Sequence, residues 1–287
     1  MIRLVAFDLD GTVLDPVGQP SARALAALRR VVARGIQIAA ISGRSIRRSL
    51  HPLADHPDLM DVAQVCGYNG AAAAGPVTDG RRRLLFSRCL DGPVFHDLVD
   101  HAMSRGLRLI YCRCEETPTG LVEEYRFEEA PAEPTAVVAW NSVGYVQDRQ
   151  LLARIHSGEL GAPPKVMLYA GTSGQDEVIA ELRHRFDGRI YVAWAAKELL
   201  EIMHPEVSKG TALRSLAAAA GVPLDQVLAI GDGNNDLPML RIAGTGVLMG
   251  NAHEEVRQAL ADTGVRLAPP FAEDGFAAAI EEHVLGG

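Results

Sequence analysis

The stretch that decides the fold runs from residue 2 to residue 13 and reads Ile-Arg-Leu-Val-Ala-Phe-Asp-Leu-Asp-Gly-Thr-Val. Residues 2–7 are a short, mostly apolar run rich in branched side chains, and a turn-forming Asp-Gly pair follows. Such a run is typical of a buried strand in a parallel sheet. The polar residues after it are therefore expected in a loop at the carboxyl end of that strand, where open α/β sheets bind ligands.

The next segments predict a second strand parallel to the first. Residues 21–34 are amphipathic and predict a helix, with Ser21 as its N-terminal cap and Gly35 at its C-terminal end. Residues 36–41 are another apolar run, and it ends at Ser42. Strand, helix and strand in this order form a right-handed unit with parallel strands, so both polar loops should lie at the same edge of the sheet.

A similar rhythm returns late in the chain. Residues 208–220 are rich in Ala and Leu and predict a helix, and residues 227–230 predict a short apolar strand. That strand ends in the polar loop 231–236, which reads Gly-Asp-Gly-Asn-Asn-Asp. The late segments therefore extend the same parallel sheet.

The middle of the chain mixes helix and strand signals. Asp79-Gly80 predicts a hairpin turn, and residues 115–135, which are rich in Glu and Pro, predict loops. We interpret residues 86–192 as an inserted α/β domain. Residues 1–85 and 193–287 then form one core, and the predicted fold class is α/β with a Rossmann-like parallel sheet.

Composition limits the classes of partner. The 287 residues carry a formal net charge of −8, with 48% apolar and 22% charged residues, as in a globular protein. The acidic balance disfavours nucleic acid and anionic membranes, but a bound cation can still make one cleft attractive to a phosphorylated ligand. No apolar run approaches the roughly 20 residues of a membrane helix, and four scattered cysteines fit a reducing cytosol, so we expect a cytoplasmic protein.

The first polar loop carries two carboxylates that can converge on one cation. Asp8 could act as a nucleophile and metal ligand, and Asp10 could give a proton to a leaving oxygen and later take one from water. Gly11 permits a close approach of the backbone, and Thr12 offers a hydroxyl and an amide to a phosphate. The loop alone leaves open an ordinary acidic turn between a strand and a helix.

The loop after residue 230 has matching chemistry. Asp232, together with Asp8, could supply the carboxylates that Mg²⁺ prefers, and Asp236 could hold a water ligand. Asn235 could donate a hydrogen bond to a phosphate oxygen. A polar Gly/Asn turn is the simpler alternative, but two carboxylates after a buried strand make it weaker.

Two further signals, at Ser42 and Lys209, and one additional residue, Arg44, are ambiguous when taken singly. Ser42 could donate to a phosphoryl oxygen, or it could simply cap the next helix. Lys209 stands at a helix start, where the helix dipole disfavours a cation unless an anion is nearby; an ordinary surface lysine is the alternative. Arg44 could reach a substrate anion or pair with an acidic residue of the inserted domain.

Together these four signals resemble the haloacid dehalogenase superfamily of phosphotransferases. The shared pattern is Asp-x-Asp-Gly-Thr, a Ser after the second strand, a Lys, and Gly-Asp-x-x-Asn-Asp, in that order. Asn69-Gly70-Ala71, Leu200-Glu201-Ile202 and Asp274-Gly275 are similar to the Cof-type, class IIB phosphatases of this superfamily. Those proteins carry a large α/β cap between the second and third motifs, which agrees with an insert at residues 86–192.

The resemblance implies a role for each matching residue. Asp8 would be the nucleophile and Asp10 the acid/base. Mg²⁺ would be held by Asp8, the Asp10 backbone carbonyl and Asp232, with Asp236 in support. The residues implied for the phosphoryl group are Thr12, Ser42, Gly43, Lys209 and Asn235, and Arg44 and Asn69 are candidate substrate contacts.

The sequence therefore predicts a magnesium-dependent hydrolase of small phosphate monoesters, with sugar phosphates as an expected class, acting through an aspartyl phosphate. A phosphomutase on the same core is the nearest alternative. A non-catalytic protein that binds a phosphorylated ligand is the other, and it would not need Asp10. The expected partner is a small phosphorylated metabolite, and the sequence does not indicate an oligomeric state.

Overall fold

The apolar run at the N-terminus forms a strand, Leu4–Phe7, and all four of its residues are buried. The structure is a computed structural model and describes residues 1–129, 144–170, 175–196 and 198–286. The chain divides into two compact units. The first consists of Met1–Phe86 and Ser208–Gly287, and the second of Ser87–Val207.

The described residues form both strands and helices. In chain order the strands are β1 (Leu4–Phe7), β2 (Gln37–Ile41), β3 (Gln64–Gly67), β4 (Ala72–Thr78), β5 (Arg81–Ser87), β6 (Arg108–Thr117), β7 (Gly120–Phe127), β8 (Gly144–Gln147), β9 (Lys165–Tyr169), β10 (Tyr191–Ala196), β11 (Leu199–Met203), β12 (Val227–Gly231), β13 (Thr245–Leu248) and β14 (Arg266–Leu267). The α-helices are α1 (Ala22–Ala33), α2 (Ile46–Leu50), α3 (Pro57–Met60), α4 (Gly92–Ser104), α5 (Leu151–His156), α6 (Gln175–Arg185), α7 (Lys209–Ala219), α8 (Leu237–Ile242), α9 (Glu254–Leu260) and α10 (Gly275–Ile280).

The first unit contains a sheet with the strand order β14-β13-β12-β1-β2-β3-β4-β5. Neighbours from β14 to β3 are parallel, and β3 pairs with β4 in the antiparallel direction. The predicted turn at Asp79-Gly80 joins β4 to β5, and both of its residues have positive φ. The predicted α/β class with a parallel-sheet core is therefore confirmed.

Helix α1 shows how local sequence and packing agree. Ser21 is its N-cap, and its side chain accepts a hydrogen bond from the N–H of Ala24, as predicted. Leu25, Leu28 and Val31 are buried on one face. None of the described helices has the length and the apolar character that crossing a membrane requires.

The second unit is built on its own sheet, with the strand order β10-β11-β9-β6-β7-β8. Most neighbours are antiparallel, while β7 and β8 are parallel. One face of the sheet packs against helices: Leu109 and Val166 join Phe95 and Leu98 of α4 in one buried apolar cluster. The buried pair Lys165 and Glu201 lies on strands β9 and β11 of the same sheet.

The second unit ends later than the sequence indicated. We predicted that the inserted domain ends at residue 192, whereas this unit continues to Val207. The reason is strand pairing, because β11 lies between β10 and β9 and is antiparallel to both. The predicted boundary therefore falls inside β10, a strand of the second sheet.

The expected loops at residues 115–135 are also corrected. Strand β6 extends to Thr117, and β7 pairs with it in a hairpin in which Thr117 lies opposite Gly120. Glu123 and Tyr125 are buried there, so the glutamates of this stretch belong to a strand. Composition was misleading because burial in a sheet overrides the low strand propensity of Glu. Residues 130–135 lie outside the described residues.

Candidate active site

Polar loops meet at one edge of the first sheet, because β12, β1 and β2 are parallel neighbours. Asp8 follows β1, Ser42 follows β2, and Asp232 follows β12. Helix α7 begins at Lys209 and brings its ammonium group to the same edge. The sheet topology thus gathers the loops and the lysine that the motifs singled out.

The centre of the candidate site is a cluster of carboxyl groups. Asp8, Asp232 and Asp236 each offer one oxygen, and these atoms all lie within 4.8 Å of one another. Nζ of Lys209 lies 2.6 Å from Oδ1 of Asp8 and 2.6 Å from Oδ1 of Asp236, and the lysine is buried. One ammonium therefore contacts two of the three clustered carboxyl groups, and the negative charge that remains suits a further cation.

Burial changes the acidity of these groups. It raises the pKa of Asp8 to about 7, although the ammonium of Lys209 acts in the opposite direction. Burial, with the Asp236 carboxylate, raises the pKa of Asp232 to about 6. Burial alone would lower the pKa of Lys209, but Asp8 and Asp236 raise it above its usual range, so this lysine stays charged.

Asp236 organises the loop that carries Asp232. Its Oδ2 atom accepts hydrogen bonds from the backbone N–H groups of Asp232, at 3.0 Å, and Gly233, at 2.8 Å. Its Oδ1 atom accepts a hydrogen bond from Lys209 at 2.6 Å. A Cβ atom at Gly231 would lie 2.5 Å from Cγ of Asp236, so this close approach requires glycine. Asp236 therefore ties the loop to Lys209.

Asp10, two residues after Asp8, pairs with Arg44. Nε of Arg44 donates a hydrogen bond to Oδ2 of Asp10 at 2.8 Å, and Nη2 donates to Oδ1. The Asp10 side chain is 58% exposed, so it is accessible to a ligand. Among the described residues Arg44 therefore pairs with Asp10, inside its own unit, and not with an acidic residue of the inserted domain.

Gly11 and Thr12 connect the first loop to Asp232. The hydroxyl of Thr12, which is buried, donates to Oδ1 of Asp232 at 3.3 Å. Gly11 has φ +75°, and a Cβ atom there would lie 2.3 Å from Oδ2 of Asp232. The two motif loops can approach each other only because this position is glycine.

Ser42 is buried at the end of β2. Its Oγ atom accepts a hydrogen bond from the N–H of Arg44 at 3.2 Å, and its carbonyl accepts one from the N–H of Asn69 at 3.0 Å. The alternative that Ser42 caps the next helix is wrong. The N-cap of α2 is Ser45, whose Oγ atom accepts from the N–H of Arg48 at 3.2 Å.

Asn69 lies between two of the residues predicted to hold a phosphoryl group. Nδ2 of Asn235 donates to Oδ1 of Asn69 at 3.2 Å. A Cβ atom at Gly43 would lie 3.1 Å from the same oxygen, so Gly43 leaves room for the Asn69 side chain. The structure therefore brings Asn69, Asn235 and Gly43 together at the edge where Asp8 lies.

Asn251 is a site residue that sequence reasoning missed. Its Nδ2 atom donates to the carbonyl of Gly11 at 2.9 Å and to Oδ2 of Asp232 at 3.2 Å. Its Oδ1 atom accepts from the N–H of Phe271 at 2.8 Å. The sequence feature that could have indicated it is its position after an apolar strand: Asn251 follows β13, which is the parallel neighbour of β12.

Comparison with known proteins identifies the family of the chain. The family model of the haloacid dehalogenase-like hydrolases matches residues 5–280, so the chain belongs to that family. It is 28% identical to the 5-amino-6-(5-phospho-D-ribitylamino)uracil phosphatase YitU of Bacillus subtilis, over 98% of this chain and 97% of the relative. It is 29% identical to the HMP-PP phosphatase of Cronobacter sakazakii, over 88% of this chain and 85% of the relative.

A solved structure supports the same family assignment. A haloacid dehalogenase-like hydrolase from Bacteroides thetaiotaomicron matches with a TM-score of 0.78 at 27% identity, covering 98% of this chain and 99% of the other. The predicted membership of the superfamily is therefore confirmed. The relatives are phosphatases, and this chain is an enzyme of the same class, a phosphatase.

Proposed function

We propose that the chain hydrolyses small phosphate monoesters, with sugar phosphates as the preferred class, in a magnesium-dependent reaction that forms an aspartyl phosphate on Asp8. The observation that carries the proposal is the cluster of Asp8, Asp232 and Asp236 around the ammonium of Lys209. A carboxylate nucleophile, an oxygen-rich cation site and a fixed positive charge are the groups that such a phosphoryl transfer requires. The relative YitU, by its name, acts on a phosphorylated ribityl compound, and this supports the proposed substrate class.

The carboxyl cluster fits Mg²⁺, which prefers oxygen ligands and keeps several of its waters. Asp8 and Asp232 would supply carboxylates, and Asp10 would supply its backbone carbonyl. Both oxygens of Asp236 already accept hydrogen bonds, so Asp236 would act through a water. When bound, the ion would offset the repulsion between the Asp8 carboxylate and the anionic phosphate.

In the proposed reaction a carboxylate oxygen of Asp8 attacks phosphorus, and the bond from phosphorus to the ester oxygen breaks. Lys209 lies 2.6 Å from Oδ1 of Asp8, where its charge favours the ionised nucleophile and can then contact the transferred group. The remaining residues proposed to hold the phosphoryl oxygens are Thr12, Ser42, Gly43 and Asn235.

Asp10 is proposed to give a proton to the leaving oxygen and to take one from the water that hydrolyses the aspartyl phosphate. The bidentate contact with Arg44 holds this carboxylate in one orientation. Arg44 would leave Asp10 for an anionic oxygen of the substrate, which accords with its predicted role as a substrate contact.

The second unit, Ser87–Val207, is proposed to be the cap domain that selects a small phosphorylated metabolite. A phosphomutase would use the same residues but would keep the phosphoryl group from water and would need a bisphosphorylated activator. A protein that only binds a phosphorylated ligand is disfavoured, because binding does not need Asp10. We also retain the prediction of a cytoplasmic location.

The test is release of inorganic phosphate from a panel of sugar phosphates, other alkyl phosphates and an aryl phosphate. Turnover should appear with Mg²⁺ and disappear after verified metal removal, and added Mg²⁺ should restore it. Full turnover in excess chelator would contradict the metal proposal. Phosphoryl transfer between two positions of one sugar, without phosphate release, would favour the phosphomutase.

A further inference from the structure

The turn Tyr68-Asn69-Gly70 has an unusual backbone. Its φ angles are 55°, 54° and 116°, so three consecutive residues occupy the positive-φ region. Residues with a side chain seldom adopt such angles, and bulky residues such as Tyr do so least often. Strained positions of this kind persist only where neighbouring groups enforce them, and they are frequent at functional sites.

Backbone hydrogen bonds hold the turn against the loop that follows β2. The N–H of Tyr68 donates to the carbonyl of Arg44 at 2.8 Å, and the N–H of Asn69 donates to the carbonyl of Ser42 at 3.0 Å. The side chain of Tyr68 is fully buried. The conformation of the turn is therefore fixed from both its backbone and its side chain.

The same turn abuts the start of α7. A Cβ atom at Gly70 would lie 2.4 Å from the carbonyl oxygen of Ser208 and 3.2 Å from Cβ of Ala212. Ser208 is the residue before Lys209 and caps its helix. The turn thus lies between the Ser42 loop and the helix that carries the lysine.

The side chain of Asn69 then reaches the third motif. Its Oδ1 atom accepts a hydrogen bond from Nδ2 of Asn235 at 3.2 Å. Because an amide oxygen can only accept, it determines which end of the Asn235 amide faces it. The second N–H of Asn235 is then held in one direction and is available to an anionic oxygen.

We propose that Asn69 is a positioning residue, which orients the amide of Asn235 toward the phosphoryl group. This inference rests on the proposed function, since Asn235 has that role only in a phosphoryl-transfer site. Asn suits the position for two reasons: it tolerates positive φ better than most residues, and its side chain supplies the acceptor. The strained turn places that acceptor between Gly43 and Asn235.

Two substitutions separate the side chain from the backbone. Asn69→Gly permits positive φ but removes the acceptor, so kcat/KM should fall about tenfold while the melting temperature changes by less than about 2 °C. Asn235→Ala should affect the same kinetic parameter that Asn69→Gly changes, either as a lower kcat or as a higher KM. In the double variant Asn69→Gly/Asn235→Ala, the loss should equal that of Asn235→Ala alone, because Asn69 has no amide left to orient.

A matched control isolates backbone strain. Asp79 has φ 53° in the hairpin turn between β4 and β5. Asp79→Ala and Asn69→Ala each place an Ala at positive φ, so both should lower the melting temperature by a few degrees. Only Asn69→Ala should also lower kcat/KM. A similar kinetic loss in Asp79→Ala would show that general destabilisation explains the effect and would overturn the inference.

Two further outcomes would overturn the positioning role of Asn69. Wild-type kcat/KM in Asn69→Gly, or a further tenfold loss when Asn69→Gly is added to Asn235→Ala, would overturn the positioning role while leaving the phosphatase intact. The inhibition constant of inorganic phosphate, a competitive inhibitor, should rise in Asn69→Gly and in Asn235→Ala. It should rise no further in the double variant than in Asn235→Ala alone. If the wild-type protein releases phosphate from no ester with Mg²⁺ present, the proposed function fails and this inference fails with it.

Discussion

Lys209 in the first unit and Lys165 in the second unit are both buried, and each has a carboxylate oxygen at 2.6 Å. Their positions differ. Lys209 lies at the start of a helix, at the edge of a sheet where loops converge, and it contacts both Asp8 and Asp236. Lys165 and its partner Glu201 lie within the neighbouring strands β9 and β11, in the interior of the second sheet.

The difference shows which buried charges point to chemistry. A lysine and a carboxylate that pair within a sheet offset each other's desolvation, and such a pair has little net effect on stability as long as both partners remain. Around Lys209 a third carboxyl group, that of Asp232, adds negative charge beside an exposed Asp10. Burial of a charged pair therefore does not by itself identify an active site; the position of the charges at the sheet edge where loops converge does.

The largest expected effect concerns Asp8, the proposed nucleophile. Asp8→Asn should lower turnover by about 10⁴-fold or more, because an amide is a poor nucleophile and loses the anionic metal ligand. Asp10→Asn should also lower turnover severely, since the leaving oxygen and the attacking water lose their proton partner. An aryl phosphate needs little protonation to leave, so it should still phosphorylate the Asp10 variant.

Mass spectrometry of both variants, quenched in acid after mixing with an aryl phosphate, distinguishes the two carboxylates. Phosphoenzyme should accumulate in Asp10→Asn and be absent from Asp8→Asn. A phosphoryl group on any residue other than Asp8 would refute the assignment of the nucleophile. The surroundings of Lys209 would then no longer differ from those of Lys165 by a catalytic role.

The second prediction compares the two lysines directly by replacing each with Met. Lys209→Met should lower kcat about 10²- to 10³-fold, because a preorganised charge beside the proposed nucleophile, Asp8, is lost. Lys165→Met should leave kcat per folded molecule within about twofold but lower the free energy of unfolding by about 3–5 kcal/mol, since the buried carboxylate of Glu201 loses the ammonium that lies 2.6 Å from it. Chemical denaturation and steady-state kinetics measure the two effects.

A double variant serves as the control for the structural pair. Lys165→Met/Glu201→Leu removes both charges and should recover most of the lost stability, because apolar residues of similar size replace the ion pair. A loss of kcat in Lys165→Met without a loss of stability would mean that this lysine also contacts the substrate. The contrast between the two lysines would then no longer hold.

The smallest effect is expected at Asn251, which holds Asp232 from the neighbouring loop. If Asp232 holds Mg²⁺ as proposed, Asn251→Ala should raise the Mg²⁺ concentration for half-maximal activity about tenfold, as is typical when the hydrogen-bond partner of a metal ligand is removed. Titration of activity with Mg²⁺ measures this concentration. The matched control is Gln258→Ala, which removes an exposed amide on α9. An unchanged Mg²⁺ requirement in Asn251→Ala would mean that Asn251 only supports the loop of Gly11 and does not affect the metal site.

Some features were predictable because they depend on neighbours in sequence. The cap at Ser21 and the apolar run before Asp8 follow from side-chain chemistry within a few residues. The prediction of loops at residues 115–135 was wrong over its described part, 115–129, because it weighed the glutamates by propensity, whereas pairing with β6 decides their conformation. Asn251 was missed because a single Asn after a strand has many ordinary explanations.

By itself, the sequence determined the α/β class, the strands that end in polar loops, and the carboxylate, lysine and amide chemistry at those loops. These follow from local apolar periodicity and from the side chains that come directly after each strand. Only the tertiary structure decided which groups meet: Arg44 with Asp10, Lys209 with both Asp8 and Asp236, and Thr12 with a carboxylate 220 positions away. Contacts of that range depend on strand order and packing, which no local pattern of residues specifies.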